Sequence, residues 1–167
     1  MSRVNLVSLT AAVALAGLVL TAVSFVFPAR SLAQVDAGPV GVWLDHTQRG
    51  AVEIQNCGSQ LCGRIVWLQD ATDDKSGQPL TDKLNPEPAK RNQPICGLQI
   101  IGDLSKKRDG IWDDGWIYDP EKGEKYDLEL RLLNRDTLQI TGYAGVKFLS
   151  ETYKWTRAPR DLPRCTA

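Results

Sequence analysis

Between Tyr126 and Leu132 the chain alternates without exception. Tyr126, Leu128, Leu130 and Leu132 fall on one face of an extended chain, and Asp127, Glu129 and Arg131 on the other. A helix would scatter these residues around its axis, so a period of two commits the stretch to a half-buried strand. Asn134-Arg135-Asp136 turns the chain, and Leu138 and Ile140 carry the apolar face into a second strand. Val52 and Ile54 alternate with Glu53 and Gln55, whereas Leu61–Leu68 is more continuously apolar, as a central strand would be. Further strands are expected at Gly41–Asp45, Ile95–Ile101, Trp116–Tyr118 and Phe148–Arg157. After residue 33 no segment sustains a helical period, although 82–91 has room for one short helical turn after Pro86 or Pro88. About eight short strands joined mostly by tight turns suit an all-β, antiparallel up-and-down barrel, with a β-sandwich as the alternative.

Ahead of this pattern stands a segment of another kind. Arg3 precedes an apolar run from Leu6 to Phe27, Pro28 stops it, and Ser31 and Ala33 occupy the small −3 and −1 positions of a cleavage site. Residues 1–33 are therefore expected to be a signal peptide, residues 34–40 a linker and residues 41–167 the barrel. That places the protein in the periplasm or outside the cell. Uncleaved, the same run would be long enough to anchor the chain in a membrane, which is the one membrane contact expected. The leader removes Arg3 and Arg30 and no acid, so 20 − 2 = 18 basic residues face 20 acidic ones. Such a balance offers no basic field for nucleic acid.

Cys57, Cys62, Cys96 and Cys165 make an even count, which in an exported chain reads as disulfides. Three pairings are open to four cysteines. Cys57 and Cys62 flank Gly58-Ser59-Gln60-Leu61, a plausible hairpin turn, and their pairing would leave Cys96 for Cys165. Zinc is not expected, because no C-x-x-C spacing or supporting histidine accompanies the cysteines.

The most conspicuous connection runs from Asp82 to Gly97, through Asn85, Pro86, Glu87, Pro88, Lys90, Arg91 and Pro94. It is polar, charged and broken by proline, and long ordered loops on β scaffolds often carry function. Two roles are open. Asp82 or Asn85 could brace the loop, with Arg91 paired to Asp82 or Glu87 and Cys96 stapling its exit. Alternatively Asp82, Asn85 and Arg91 could converge at a barrel mouth around a ligand's polar head, where arginine favours carboxylate or phosphate.

Several motifs in order carry a resemblance. They are Gly41-x-Trp43, Leu61-Cys62-Gly63-Arg64-Ile65-Val66-Trp67-Leu68, the Asp82 to Leu98 loop, Gly115-Trp116-Ile117-Tyr118-Asp119-Pro120-Glu121, Gly142-Tyr143 and Trp155-Thr156-Arg157. Together the chain resembles the bacterial exported family known as domain of unknown function 2147. That resemblance implies a lipocalin-like barrel, usually periplasmic, and no established activity. Lipocalin-like barrels pair a Gly-x-Trp on the first strand with an arginine on the last, so Trp43 and Arg157 are expected to stack and close one end. Gln93 departs from the family pattern where a second basic residue is common, as does Ser150 where a glycine often sits.

Catalytic groups are sparse. His46 is the single histidine and lies beside the turn Thr47-Gln48-Arg49-Gly50, so it is expected to be a solvated loop residue. Asp113, Asp114 and Asp119 cluster with Trp112, Trp116 and Tyr118, a mixture found in carbohydrate sites, but Asp113-Asp114-Gly115 is also good turn chemistry, and turn duty is favoured. The acidic loop Asp70, Asp73, Asp74 and Gly77 lacks the spacing of a calcium loop. The favoured reading is a non-catalytic barrel, without cofactor, whose interior holds a small apolar or amphipathic molecule, with Trp67, Trp116, Tyr126 and Tyr143 lining it and Asp82, Asn85 and Arg91 at its mouth. Its rivals are an envelope interaction module with a filled barrel, and an enzyme acting on glycans through carboxylates drawn from Asp82, Asp113 and Asp114.

Overall fold

A computed structural model of the chain describes residues 38–165. The expected leader and its cleavage point lie outside the described residues. Eight strands follow in order: β1 (Gly41–Leu44), β2 (Gly50–Cys57), β3 (Gln60–Leu68), β4 (Gln99–Arg108), β5 (Ile111–Asp119), β6 (Glu124–Asn134), β7 (Thr137–Ala144) and β8 (Val146–Arg157). Each pairs antiparallel with the next, and β8 returns to β1, so the sheet is a closed up-and-down barrel and not a sandwich. One 3-10 turn, Pro88–Lys90, lies in the long β3–β4 connection, as the two prolines suggested.

Two strands depart from their expected limits. Gly97 sits at φ 86° and Cys96 is tied into a disulfide, so the extended chain starts at Gln99 and runs on through Lys106, Lys107 and Arg108. Asp113-Asp114-Gly115 lies within β5 and not in a turn. Asp114 takes φ 60°, and the register to β6 shifts between Trp112 and Gly115, which makes this a bulge. The extra residue interrupts the alternation that would have revealed the strand.

The alternation fills the barrel. Trp43, Ile54, Ile101, Leu104, Leu128, Leu130 and Leu138 have no accessible surface at all. A void able to hold even one water would give its lining measurable surface, so the zero values mean that the interior at these levels is packed solid. Each such side chain contributes roughly 1.5–3 kcal/mol by leaving water.

Trp43 closes one end. Its Nε1 donates to the Pro39 carbonyl at 2.7 Å, and the Arg157 guanidinium lies 4.1 Å from the ring centroid. Gly41 is required here: its φ is 134°, and a Cβ would stand 2.6 Å from an Arg157 nitrogen. Arg157 Nε also donates to the Arg135 carbonyl at 2.7 Å. The expected stack of Trp43 and Arg157 is therefore a built feature of the fold. Both disulfides take the pairing reached by leaving Cys96 for Cys165. Cys57–Cys62 clips the β2–β3 hairpin, and Cys96–Cys165 ties the long connection to the C-terminal tail.

The barrel seam is uneven. Asp45 Oδ1 accepts from the Thr47 amide at 2.8 Å and the Thr47 hydroxyl at 2.6 Å, forming a tight turn that ends β1 after four residues. Strand β8 has 12 residues, yet it meets β1 only at Trp43–Arg157 and Leu44–Thr156.

Candidate functional site

The Asp82–Gly97 loop is organised around a buried carboxylate. Asp82 has no accessible surface, and its two oxygens accept from Tyr118 Oη at 2.7 Å, Asn85 Nδ2 at 2.6 Å and Gln93 Nε2 at 3.2 Å. Burial and the bond to Asp82 push the Tyr118 phenol up to about 12. Arg91 Nε donates to the Asn85 carbonyl at 2.8 Å, while Glu87 pairs with Lys90. Strand β5 thus pins the loop through Tyr118, and the loop's polar groups face one another. Asp82→Ala is predicted to leave three donors without an acceptor and to cost about 2–4 kcal/mol. Its phenol titration should show Tyr118 returning toward 10, whereas Arg91→Ala should leave that titration unchanged. An unshifted Tyr118 in Asp82→Ala would remove the brace.

Trp116 lies elsewhere on the same strand. Its Nε1 donates to Asp103 Oδ2 at 2.8 Å. Its ring covers Gly102, where a Cβ would be 2.5 Å from the indole, so a glycine on β4 lets the ring lie flat. Lys125 Nζ stands 4.1 Å from the ring centroid. Register pairs Trp116 with Asp127 and Asp127 with Tyr143, which sets the three side by side on the outer wall. Trp116, Lys125, Tyr126, Asp127, Tyr143, Ala144 and Gly145 border a groove of about 280 Å³.

A charged cluster supports the wall beside this groove. Lys147 reaches both Asp113 and Glu129, the latter at 2.6 Å, and Tyr143 Oη donates to Asp113 at 3.0 Å. Burial alone would raise the Asp113 carboxyl, but hydrogen bonds from Lys147, the Asp114 amide and Tyr143 outweigh it and hold it below its usual range. Glu129 behaves alike, with Lys147 and Arg131 overcoming the effect of burial. Burial, followed by the bond to Asp113, pushes Tyr143 up to about 12. A glycosidase acid needs a raised carboxyl. Here the two cluster carboxyls are shifted the other way.

A family model described as "Uncharacterized protein conserved in bacteria (DUF2147)" matches residues 41–157, from the first barrel strand to the last. The chain belongs to the DUF2147 family. Among solved structures, protein HP1028 from Helicobacter pylori, described as belonging to the lipocalin family, matches with a TM-score of 0.64 at 20% identity. The match covers 73% of this chain and 84% of that one. At that identity the likeness establishes the fold, a lipocalin-like barrel. No curated protein matches the chain.

In this DUF2147 barrel the seven expected site residues separate into three places. Asp82, Asn85 and Arg91 belong to the loop brace, where Gln93 serves as a neutral donor to a buried acid. Trp116 and Tyr143 meet at the groove on the outer wall and not inside the barrel as expected, while Tyr126 borders the groove from a strand position that faces inward with Leu128. Trp67, half-buried in β3 opposite Ala51, is not among the residues bordering it. His46 is exposed as expected and stacks on Tyr153, with ring centroids 4.1 Å apart. Asp73, in the acidic loop, accepts from the Ser76 amide and hydroxyl at 2.9 Å each and so closes its own turn. Sequence reasoning missed Gly102, Lys125, Asp127 and Lys147. A glycine inside a strand, and charges flanking Tyr126 on the opposite face, were the available signals.

Proposed function

We propose that this protein is a non-catalytic binding protein, exported to the periplasm or beyond, that takes a small, partly apolar molecule on its outer wall. The observation that carries this reading is the meeting of Trp116 and Tyr143, across Asp127, at one groove on the outer wall, while the barrel interior is packed solid around Ile101, Leu104, Leu128 and Leu130. Indole and phenol rings offer apolar area with a polar edge. Lys125 and Asp127 add one charge of each sign at the rim, enough to orient an amphipathic ligand. A volume of about 280 Å³ lies just under the range of roughly 300–1,000 Å³ typical of small-molecule sites, so the expected ligand is compact and not a long acyl chain.

Native mass spectrometry of protein purified without denaturant tests the reading. A retained small molecule is expected in the wild type and in Arg91→Ala, and is expected to be absent from Trp116→Ala. Equal retention in Trp116→Ala would exclude the groove. The core packed solid around Leu104, Leu128 and Leu130, together with exposed Val146, Phe148 and Leu149 on β8, supports a second reading as an interaction module.

A further inference from the structure

Among the described residues, strand β8 leaves a long open edge in the barrel wall. The tight turn at Asp45 ends β1 early, so among the described residues no strand faces β8 between Val146 and Lys154 on the β1 side. Every residue in that stretch is exposed. Phe148 is 93% exposed, Leu149 63% and Val146 58%, and no other exposed large apolar side chain among the described residues approaches Phe148.

The direction of the main chain can be read from the ends of the ladders. The Arg157 amide donates to Asp136, on the β7 side, and the Ala158 amide donates to Val42, on the β1 side. The β7–β8 register is continuous from Thr156 back to Ser150. The amides and carbonyls of Ser150, Thr152 and Lys154 therefore point away from β7, into the open edge. Soluble proteins usually blunt such an edge with a bulge or a charge. Here the shift between Tyr143 and Ala144 falls beside residues 147–149, and Lys147 is drawn back to Asp113 and Glu129. That leaves Phe148 and Leu149 projecting instead of protected.

We propose that this edge pairs with the same edge of a second copy of the chain, antiparallel and centred on Ser150. The free stretch 146–154 is itself centred on residue 150, so a two-fold axis there covers it completely in both copies and stops short of β1. The pairs would be Ser150 with Ser150, Leu149 with Glu151, Phe148 with Thr152, Lys147 with Tyr153 and Val146 with Lys154. No like charges face each other across these pairs. The contact is isologous and closes on itself, which lets an exposed edge be satisfied without building a fibre. The inference is independent of the groove, which it does not use.

Sedimentation equilibrium with hydrogen exchange on the purified protein tests it. A concentration-dependent dimer is expected, with the Ser150, Thr152 and Lys154 amides protected at high concentration and exchanging quickly on dilution. Thr152→Pro removes one outward amide while sparing the β7 ladder and should sediment as a monomer. Phe148→Asp should raise the dimer dissociation constant at least roughly tenfold. Trp116→Ala should stay dimeric. A monomer at every concentration would overturn the proposal. So would a dimer indifferent to Phe148→Asp whose three amides exchange freely, and that comparison holds even if Thr152→Pro does not fold.

Discussion

Trp43→Ala is expected to lower unfolding stability by about 3–5 kcal/mol, the usual cost of emptying a fully buried aromatic site. The effect should be large for a specific reason. Trp43 has no accessible surface, its indole N–H is bonded to Pro39, and its ring is the platform on which Arg157 rests. Removing the ring creates a cavity at the closed end and leaves the guanidinium without its stacking face. Arg157→Ala should cost less, about 1–3 kcal/mol, because the ring stays in place and the loss is a stacked cation with its hydrogen bonds to the Arg135, Val40 and Gly38 carbonyls. Urea unfolding of the two variants checks both size and order. A smaller loss for Trp43→Ala than for Arg157→Ala would mean that the ring is not the keystone of that end.

The second large effect is expected from breaking the Cys96–Cys165 bridge. Its sequence separation is 69, against 5 for Cys57–Cys62. Loop-closure entropy predicts about 4 kcal/mol for the long loop and only about 2 kcal/mol for the short one. Local structure adds to the difference. The Cys165 amide donates to Val66 at 2.8 Å and Arg164 pairs with Glu53 at 2.8 Å, so the bridge also holds the tail against β2 and β3. The double variant Cys96→Ser/Cys165→Ser should therefore show a clearly lower urea midpoint than Cys57→Ser/Cys62→Ser. Equal midpoints would show that the long loop is already constrained when unfolded. Against a typical total of about 5–15 kcal/mol, either this change or Trp43→Ala removes a large share of stability.

Much of the barrel was legible because its signals are local. The Tyr126–Leu132 alternation, the Asn134-Arg135-Asp136 turn and the hairpin between Cys57 and Cys62 each sit within a few residues. Strand β4 was displaced by four residues because Gly97 and Cys96 shape the chain before Gln99, and an apolar run cannot reveal that. The bulge at Asp113-Asp114 looked like a turn because both structures favour the same residues. The groove was half legible. Trp116 and Tyr143 stood out as aromatics, but their meeting depends on register across β5, β6 and β7, through Asp127, and on the missing side chain of Gly102. Whether the barrel was hollow could not be read from alternation at all, because the same apolar face can line a cavity or fill one.

A core packed solid around Leu104, Leu128 and Leu130 would also set the timing of any binding. A molecule enclosed within a barrel must wait for strands or loops to part before it can leave. One resting on the outer wall over Trp116 meets no such gate, so its residence time would depend only on the contacts it makes there. On the proposed reading, the scaffold would suit rapid sampling of a solute whose concentration changes, rather than long-term storage.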